Sequence, residues 1–412
     1  MTQGISVIMA KGEWMGNITD YVTGYGKYTI DEEPFNEVDS LVLSQFSYLK
    51  FDRILEGNKK NMRIDEIKES SEYETLYADG RFEKVNRGLF EAMAGSRRFS
   101  SVRLFDHVNI VDPQWEIQFS AITCMFENGF TYIAYRGTDE TITGWKEDFN
   151  MSFITPVPAQ EKAVQYINRI GSSVASDLVV GGHSKGGNLA VYAAMKCRPK
   201  VRSRIEAVYS HDGPGFVEGV LDSEEFACIK DRIRKSVPRS SVVGMVLQTQ
   251  ENYEVVKCRN FGLLQHDPYN WLIDGAGFKK ADSILKHRYV TDRSVNKWIQ
   301  RMDRGQRQEF VELLFEIVRG LGSDDLNDVM DDPVNAGRRI RNTYEEMNGE
   351  DRDILKGIFR DLSDAIRETV KEYLAEQIEE EKEKYRKKLE EGSDKLSGYI
   401  DKLIGILEEE HK

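Results

Sequence analysis

With 412 residues, 40% of them hydrophobic, the chain can form a real core and has room for one large domain with an appendage, or for two. Its net charge of −13 argues against nucleic acid as a partner and against simple adsorption to anionic lipid, since both are polyanions. No run of about eighteen apolar residues occurs, so no transmembrane segment is expected. The first residues lack a basic stretch followed by a long apolar run, so no secretory leader is expected. Cys124, Cys197, Cys228 and Cys258 are scattered without disulfide-framework or metal-ligand spacing, which points to a reduced cytoplasm.

Residues 1–95 read as an irregular and helical lead-in. After Glu32-Glu33-Pro34, the spacing of Val38, Leu41, Val42, Phe46 and Leu49 predicts a helix. From Val102 the apolar period becomes two, predicting strands over Val102–Val111 and Ile117–Phe126. The second of these turns at Asn128-Gly129 into a third, Phe130–Tyr135. A helix is expected over Glu161–Val174, then a short apolar strand, Asp177–Val180, that runs into Gly-x-Ser-x-Gly (Gly182, Ser184, Gly186) and a helix-forming segment. Next come a strand at Ala207–Tyr209, a charged helical excursion over Glu218–Lys235, and a hairpin of Ser241–Gln248 with Tyr253–Lys257. Strands alternating with helical crossovers imply a mainly parallel sheet covered on both faces. Beyond about residue 280 the strands stop. One helix is expected over Val295–Leu321 and charged helical sequence from Asp351 on, broken at Gly392-Ser393-Asp394 before Leu396, Ile400, Leu403 and Leu407. The apolar spacing there fits either a coiled-coil or dimerisation arm or helices packed on the domain.

Strand, Gly-x-Ser-x-Gly and helix in that order form a nucleophile elbow. The serine must take an unfavourable backbone conformation for its Oγ to stand clear of the sheet, and flanking glycines remove colliding Cβ atoms. The following helix N-terminus supplies N–H groups and partial positive charge where an oxyanion would develop. The alternatives are a glycine-rich βα turn with no catalytic role and a phosphate-cradling loop; the latter needs Gly-x-x-x-x-Gly-Lys-Ser/Thr, and Ser184-Lys185 stands in the wrong order for it. A serine nucleophile needs a base and an orienting acid further along the chain. His266, just after the last predicted strand, is the candidate base. His211 lies too close behind the serine, and His287 lies in a basic helical segment. Asp212, in the turn His211-Asp212-Gly213-Pro214-Gly215, is the candidate acid, with Glu251 or Asp267 next in line.

The run Ala134-Tyr135-Arg136-Gly137-Thr138, then Gly144-Trp145 and Asp148-Phe149, then Gly182-His183-Ser184-Lys185-Gly186-Gly187, resembles fungal-type class three lipases. Residues 1 to about 280 are also similar to a bacterial family of uncharacterised lipase-like hydrolases. That similarity rests on Phe35-Asn36-Glu37-Val38-Asp39, Asp212-Gly213-Pro214-Gly215-Phe216, Val237-Pro238, Ser241-Val242-Val243-Gly244 and Gln265-His266-Asp267. The resemblance implies Ser184 as nucleophile and His266 as base. It makes Thr138 the oxyanion residue, its N–H and hydroxyl acting with the Lys185 N–H, with Asp148 holding Thr138 and Trp145 supporting from the same motif. Two departures stand out. The lipases carry their acid where this chain reads Ser240-Ser241-Val242-Val243, so either Asp212 substitutes or the triad is incomplete. They also favour an apolar residue after the serine, whereas Lys185 brings a charge that speaks against a greasy acyl site.

The expected architecture is therefore an α/β-hydrolase core over 96–280, a lead-in over 1–95 and a helical region over 281–412, acting in the cytoplasm as a carboxylic-ester hydrolase. The substrate would be a small or lipid-like ester. The ionic segment Phe216–Arg239, read as a lid, favours a soluble or short-chain ester without interfacial activation. No metal or organic cofactor is implied, and a homodimer through the C-terminal helices is one expectation. The rival readings are a non-catalytic hydrolase-fold scaffold working through those helices, and acyl transfer to an acceptor other than water.

Overall fold

The computed structural model describes residues 15–55, 61–78, 82–139, 141–239, 241, 243–247, 252–260, 262–281, 286–319, 333–375 and 382. Its strands are β1 (Met15–Gly16), β2 (Asn61–Arg63), β3 (Arg103–Asp112), β4 (Ile117–Met125), β5 (Thr131–Tyr135), β6 (Leu178–His183), β7 (Ile205–His211), β8 (Ile233–Pro238), β9 (Glu254–Val256), β10 (Ile273–Asp274) and β11 (Gly277–Phe278). Strands β2 to β9 form one eight-stranded sheet in sequential order. Pairs from β2 to β5 are antiparallel and those from β5 to β9 parallel. This is the α/β-hydrolase fold, a mainly parallel sheet with helices on both faces. A small antiparallel sheet, β1-β10-β11, lies beside it.

The helices preceding the first parallel crossover are α1 (Ile18–Tyr25), α2 (Glu37–Phe46), α3 (Ile64–Lys68) and α4 (Glu83–Ala94). Helix α2 starts at a capping box in which Asn36 Oδ1 accepts from Asp39 N and Asp39 Oδ2 from Asn36 N. Most of α2 is buried, and Leu41, Val42 and Phe46 pack with the β3–β5 residues Leu104, Ile122 and Tyr132 in one core cluster. The opposite face is covered by α6 (Pro158–Ser173) and α7 (Lys185–Lys196), whose Ile167, Ile170, Leu189 and Ala193 join Ile133, Val180 and Val208. Helix α5 (Ile142–Asn150) links β5 to α6, and short helices α8 (Pro199–Arg202) and α9 (Glu224–Ala227) lie in the crossovers flanking β7.

Three expectations need correction. The excursion over Glu218–Lys235 is not one helix: it holds α9 and two single 3₁₀ turns and then becomes β8 from Ile233. The segment read as a lid is therefore the β7–β8 crossover. Its apolar residues do face the protein, with Ile229 buried and Val220, Leu221 and Phe226 packed on the core. The Ser241–Gln248/Tyr253–Lys257 hairpin does not form, because Val243–Met245 is a 3₁₀ turn and β9 pairs parallel with β8. The helix expected over Val295–Leu321 is two, α10 (Lys286–Arg301) and α11 (Arg304–Arg319). They break at Asp303, where Gln306 N donates to Asp303 Oδ1 and Asp303 N to Gln306 Oε1, a reciprocal cap that starts a new helix.

Helix α12 (Pro333–Glu346) and a helix over 349–375 follow. Met302, Phe310, Val311, Phe315, Met347, Leu355 and Ile358 bury one another together with Phe153 of the core, so this part packs on the domain. Ile378, Tyr385, Leu389 and the later heptad-like residues, on which a coiled-coil arm would rest, lie outside the described residues. Among the described residues no helix is long and apolar enough to cross a membrane.

Candidate active site

Strand β6 ends at His183, and the next residue turns the chain sharply. Ser184 has φ 58° and ψ −132°, a conformation that non-glycine residues rarely adopt and that costs free energy unless its surroundings enforce it. The surroundings do enforce it. Ser184 N donates to His211 O at 2.9 Å, and Gly187 N to Ser184 O at 2.9 Å. The turn is so tight that a Cβ on Gly186 would sit 2.1 Å from the Tyr135 carbonyl oxygen. The chain just past β5 is close as well, since a Cβ on Gly137 would lie 3.1 Å from Ser184 Cβ.

The bond to His211 O brings the end of β7 alongside the serine, and the following residue is Asp212. Asp212 is fully buried and also takes positive φ, 51°. Its Oδ2 accepts from His266 Nδ1 at 2.6 Å. Its Oδ1 accepts from Ser241 Oγ at 2.5 Å and Gly244 N at 3.2 Å. Ser241, within residues 240–243 where the resemblance places a carboxylate, thus donates its hydroxyl to a carboxylate that follows the preceding strand. With Nδ1–H committed to Asp212, a neutral His266 carries its lone pair on Nε2, which makes no hydrogen bond among the described residues. Of the reserve acids, Asp267 instead caps the turn that follows, accepting from Tyr269 N at 2.9 Å. Glu251 lies outside the described residues.

His183, unassigned from sequence, turns out to hold His266. Its Nε2 donates to His266 O at 2.8 Å, its Nδ1 lies 3.3 Å from Tyr48 Oη, and the two imidazole centres are 4.5 Å apart. Burial, reinforced by the His266 charge when present, pushes the His183 pKa well below its ordinary value, so the ring is neutral. A histidine immediately before the elbow serine was the one available signal. Buried His211 donates or accepts at Ser40 Oγ, 2.9 Å away, and burial pushes it down to about 3.

On the other side of Ser184, Thr138 Oγ1 donates to Asp148 Oδ2. Burial pushes the Asp148 carboxyl up to about 6 against the pull of Lys185. The Lys185 side chain is only 1% exposed, so its charge does not face an acyl site. Its Nζ turns away to Glu147 Oε2 at 2.9 Å and Gln118 Oε1 at 2.8 Å, with Asp148 Oδ1 at 3.6 Å. Glu147 also accepts from Gln118 N and Ala159 N, tying α5 to β4 and α6. The backbone amides of Thr138 and Lys185 have no acceptor among the described residues. Trp145 stands apart from these contacts, 42% exposed on the outer face of α5.

A family model described as Mbeg1-like matches residues 93–316, more than half of the chain. The chain belongs to the Mbeg1-like family. The Mbeg1-like match takes in α10 and most of α11, so part of the C-terminal helical region falls inside it, while residues before 93 do not. Among solved structures the chain is similar to M37 lipase, at 15% identity and TM-score 0.33, over 51% of this chain and 70% of that one. It is also similar to a Rhizomucor miehei lipase–propeptide complex, at 16% identity and TM-score 0.30, over 55% and 75%. Lip2 lipase from Yarrowia lipolytica matches at 12% identity and TM-score 0.30, over 46% and 77%. No curated protein matches the sequence.

Proposed function

We propose that this Mbeg1-like protein hydrolyses carboxylic esters through an acyl-enzyme on Ser184. The observation that carries the reading is the His266–Asp212 hydrogen bond, formed beside a serine held at positive φ on a strand–helix turn. In the acylation step Ser184 Oγ attacks the ester carbonyl carbon and its proton passes to His266 Nε2. The tetrahedral oxyanion is stabilised by the Thr138 amide just past β5 and the Lys185 amide at the start of α7. The carbon–oxygen bond to the alcohol then breaks, and the leaving alkoxide takes the proton back from His266. Water attacks the acyl-serine by the same route in reverse and releases the acid. Asp212 keeps Nδ1 protonated and stabilises the imidazolium when it forms. The hydroxyl of Ser241 and the amide of Gly244 hold Asp212 aligned for that task.

The case for a non-catalytic scaffold rested on the missing carboxylate at Ser240–Ser241. His266 has a carboxylate partner from β7, so no observation favours that reading here.

A fluorophosphonate probe and a panel of esters of graded acyl length test the proposal together. The wild-type protein should label at Ser184 and turn over at least one ester, and Ser184→Ala should do neither. Losing the nucleophile typically costs about 10⁶-fold in turnover. Full ester turnover by a folded Ser184→Ala protein would sink the serine-hydrolase reading.

A further inference from the structure

Helix α5 is built inside out. It buries Lys146, Glu147 and Asn150 and turns Trp145 and Phe149 outward. Its inner side holds the oxyanion residue through Asp148. Helix α11 holds α5 through buried Lys146 and outward Phe149 alike. Lys146 Nζ donates to Glu312 Oε2 at 2.9 Å and to Glu116 Oε1 at 2.5 Å, and the Phe149 and Phe315 rings meet edge-on at 5.6 Å. Just past α5, Arg307 Nη1 donates to Ser152 O at 2.8 Å, and Phe153 is buried among Met302, Phe310 and Phe315.

The acid side is held by the neighbouring helix. Asn296 of α10 spans a strained segment: its Oδ1 accepts from Leu247 N at 2.8 Å, its Nδ2 donates to Met245 O at 2.8 Å, and Leu247 sits at φ 55°. In the same segment Gly244 N donates to Asp212, while Lys235 Nζ holds Gly244 O at 2.8 Å. Two consecutive C-terminal helices therefore grip the two halves of one site, α11 the oxyanion helix and α10 the seat of the acid.

We propose that α10 and α11 are positioning elements of the active site, with Asn296, Glu312 and Phe315 as positioning residues, an inference that rests on the ester-hydrolase reading above. Reacting groups displaced by even about 1 Å can lose roughly a hundredfold in rate, so the helices need touch no substrate to set turnover. A positioning role lowers kcat and leaves KM close to its wild-type value. A purely structural role lowers the melting temperature and leaves kcat per folded molecule unchanged.

The test uses the full chain with Asn296→Ala, Phe315→Ala, Phe315→Leu and the milder Glu312→Gln. Each is measured for melting temperature, kcat and KM on one short-chain ester, and second-order rate of fluorophosphonate labelling. Expected are a ten- to hundredfold loss of kcat and of labelling rate in Asn296→Ala and Phe315→Ala, on the order of the positioning cost above. Phe315→Leu should recover most of that loss, and Glu312→Gln should lose only a few-fold, since its ion pair is half exposed. If Phe315→Ala fails to fold, Phe315→Leu and Asn296→Ala carry the test. Wild-type labelling with unchanged labelling rate and kcat in the folded variants overturns this inference alone. A wild-type protein that neither labels nor hydrolyses any ester overturns the ester-hydrolase reading and this inference with it.

Discussion

Ser184 stands between two carboxylates that the fold treats in opposite ways. Asp212 is sealed from water and saturated, with directed donors on both oxygens and one of those donors an imidazole. Asp148 has one oxygen on a threonine hydroxyl and the other buried without a hydrogen bond, and its nearest cation, Lys185, is shared with Glu147 and Gln118. A carboxylate surrounded by aimed donors can fix the direction of a ring. One with a shared counter-ion, pushed up to about 6 by burial, fixes the place of a hydroxyl and has less reason to stay charged.

The most damaging way to break the comparison is Asp212→Asn. Its amide would favour the wrong imidazole tautomer, and turnover per folded molecule should fall by roughly four orders of magnitude. A fall in melting temperature with turnover intact would make Asp212 a turn residue and nothing more. Lys185→Met strikes the other side, leaving buried Glu147 and partly buried Asp148 without their cation. A broken buried pair costs about 3–5 kcal/mol, to be read by chemical denaturation. Stability equal to wild type would mean that these carboxylates do not need Lys185. Thr138→Val keeps the backbone amide and removes the hydroxyl. If that hydroxyl serves the oxyanion, kcat should fall by about a hundredfold with little change in KM, and an unchanged kcat would leave only the amide in that role.

The smallest effect is on pH. Burial holds His211 and His183 neutral in the fold, so below about pH 6.5 the unfolded chain binds more protons, down to about pH 3 in the case of His211, and their share of stability is lost as pH falls. Asp148 works the other way: the folded state keeps its proton up to about pH 6, so its share is lost as pH rises from about 4 to 6. Two histidines against one carboxylate should lower the melting temperature by several degrees between pH 7.5 and pH 5, at roughly 2–4 °C per kcal/mol. His211→Asn should flatten that slope; a slope as steep as wild type would place the titration elsewhere.

What could be read in the sequence was local. The period-two segments became β3, β4 and β5, and the elbow became β6 and α7, because each is specified within a dozen residues. Strand β8 was not legible, since Arg234-Lys235 reads as the polar face of a helix. The fold buries Lys235 by giving its ammonium the Gly244 carbonyl, and burial pushes that lysine down to about 7. Chain order singled out His266 and Asp212, which the fold joins by a hydrogen bond, but not the hydroxyl of Ser241 or the Tyr48–His183 prop. Those partners meet only after the sheet has assembled, and no spacing rule connects residues 48 and 183.

The small sheet has a bearing on how the molecule comes off the ribosome. Met15–Gly16 pairs with Ile273–Asp274, directly after the loop that carries His266. One of the first described segments made must therefore wait, unpaired, until nearly two thirds of the chain has been synthesised. Strand β6 and Ser184 are made well before that, so on the ester-hydrolase reading the nascent protein passes through a stage with Ser184 present and its proposed base, His266, not yet made. Long-range closure of this kind is slow and leaves strand edges open while it is pending. On the ester-hydrolase reading, it also keeps Ser184 without its proposed base until the rest of the core is there to enclose it.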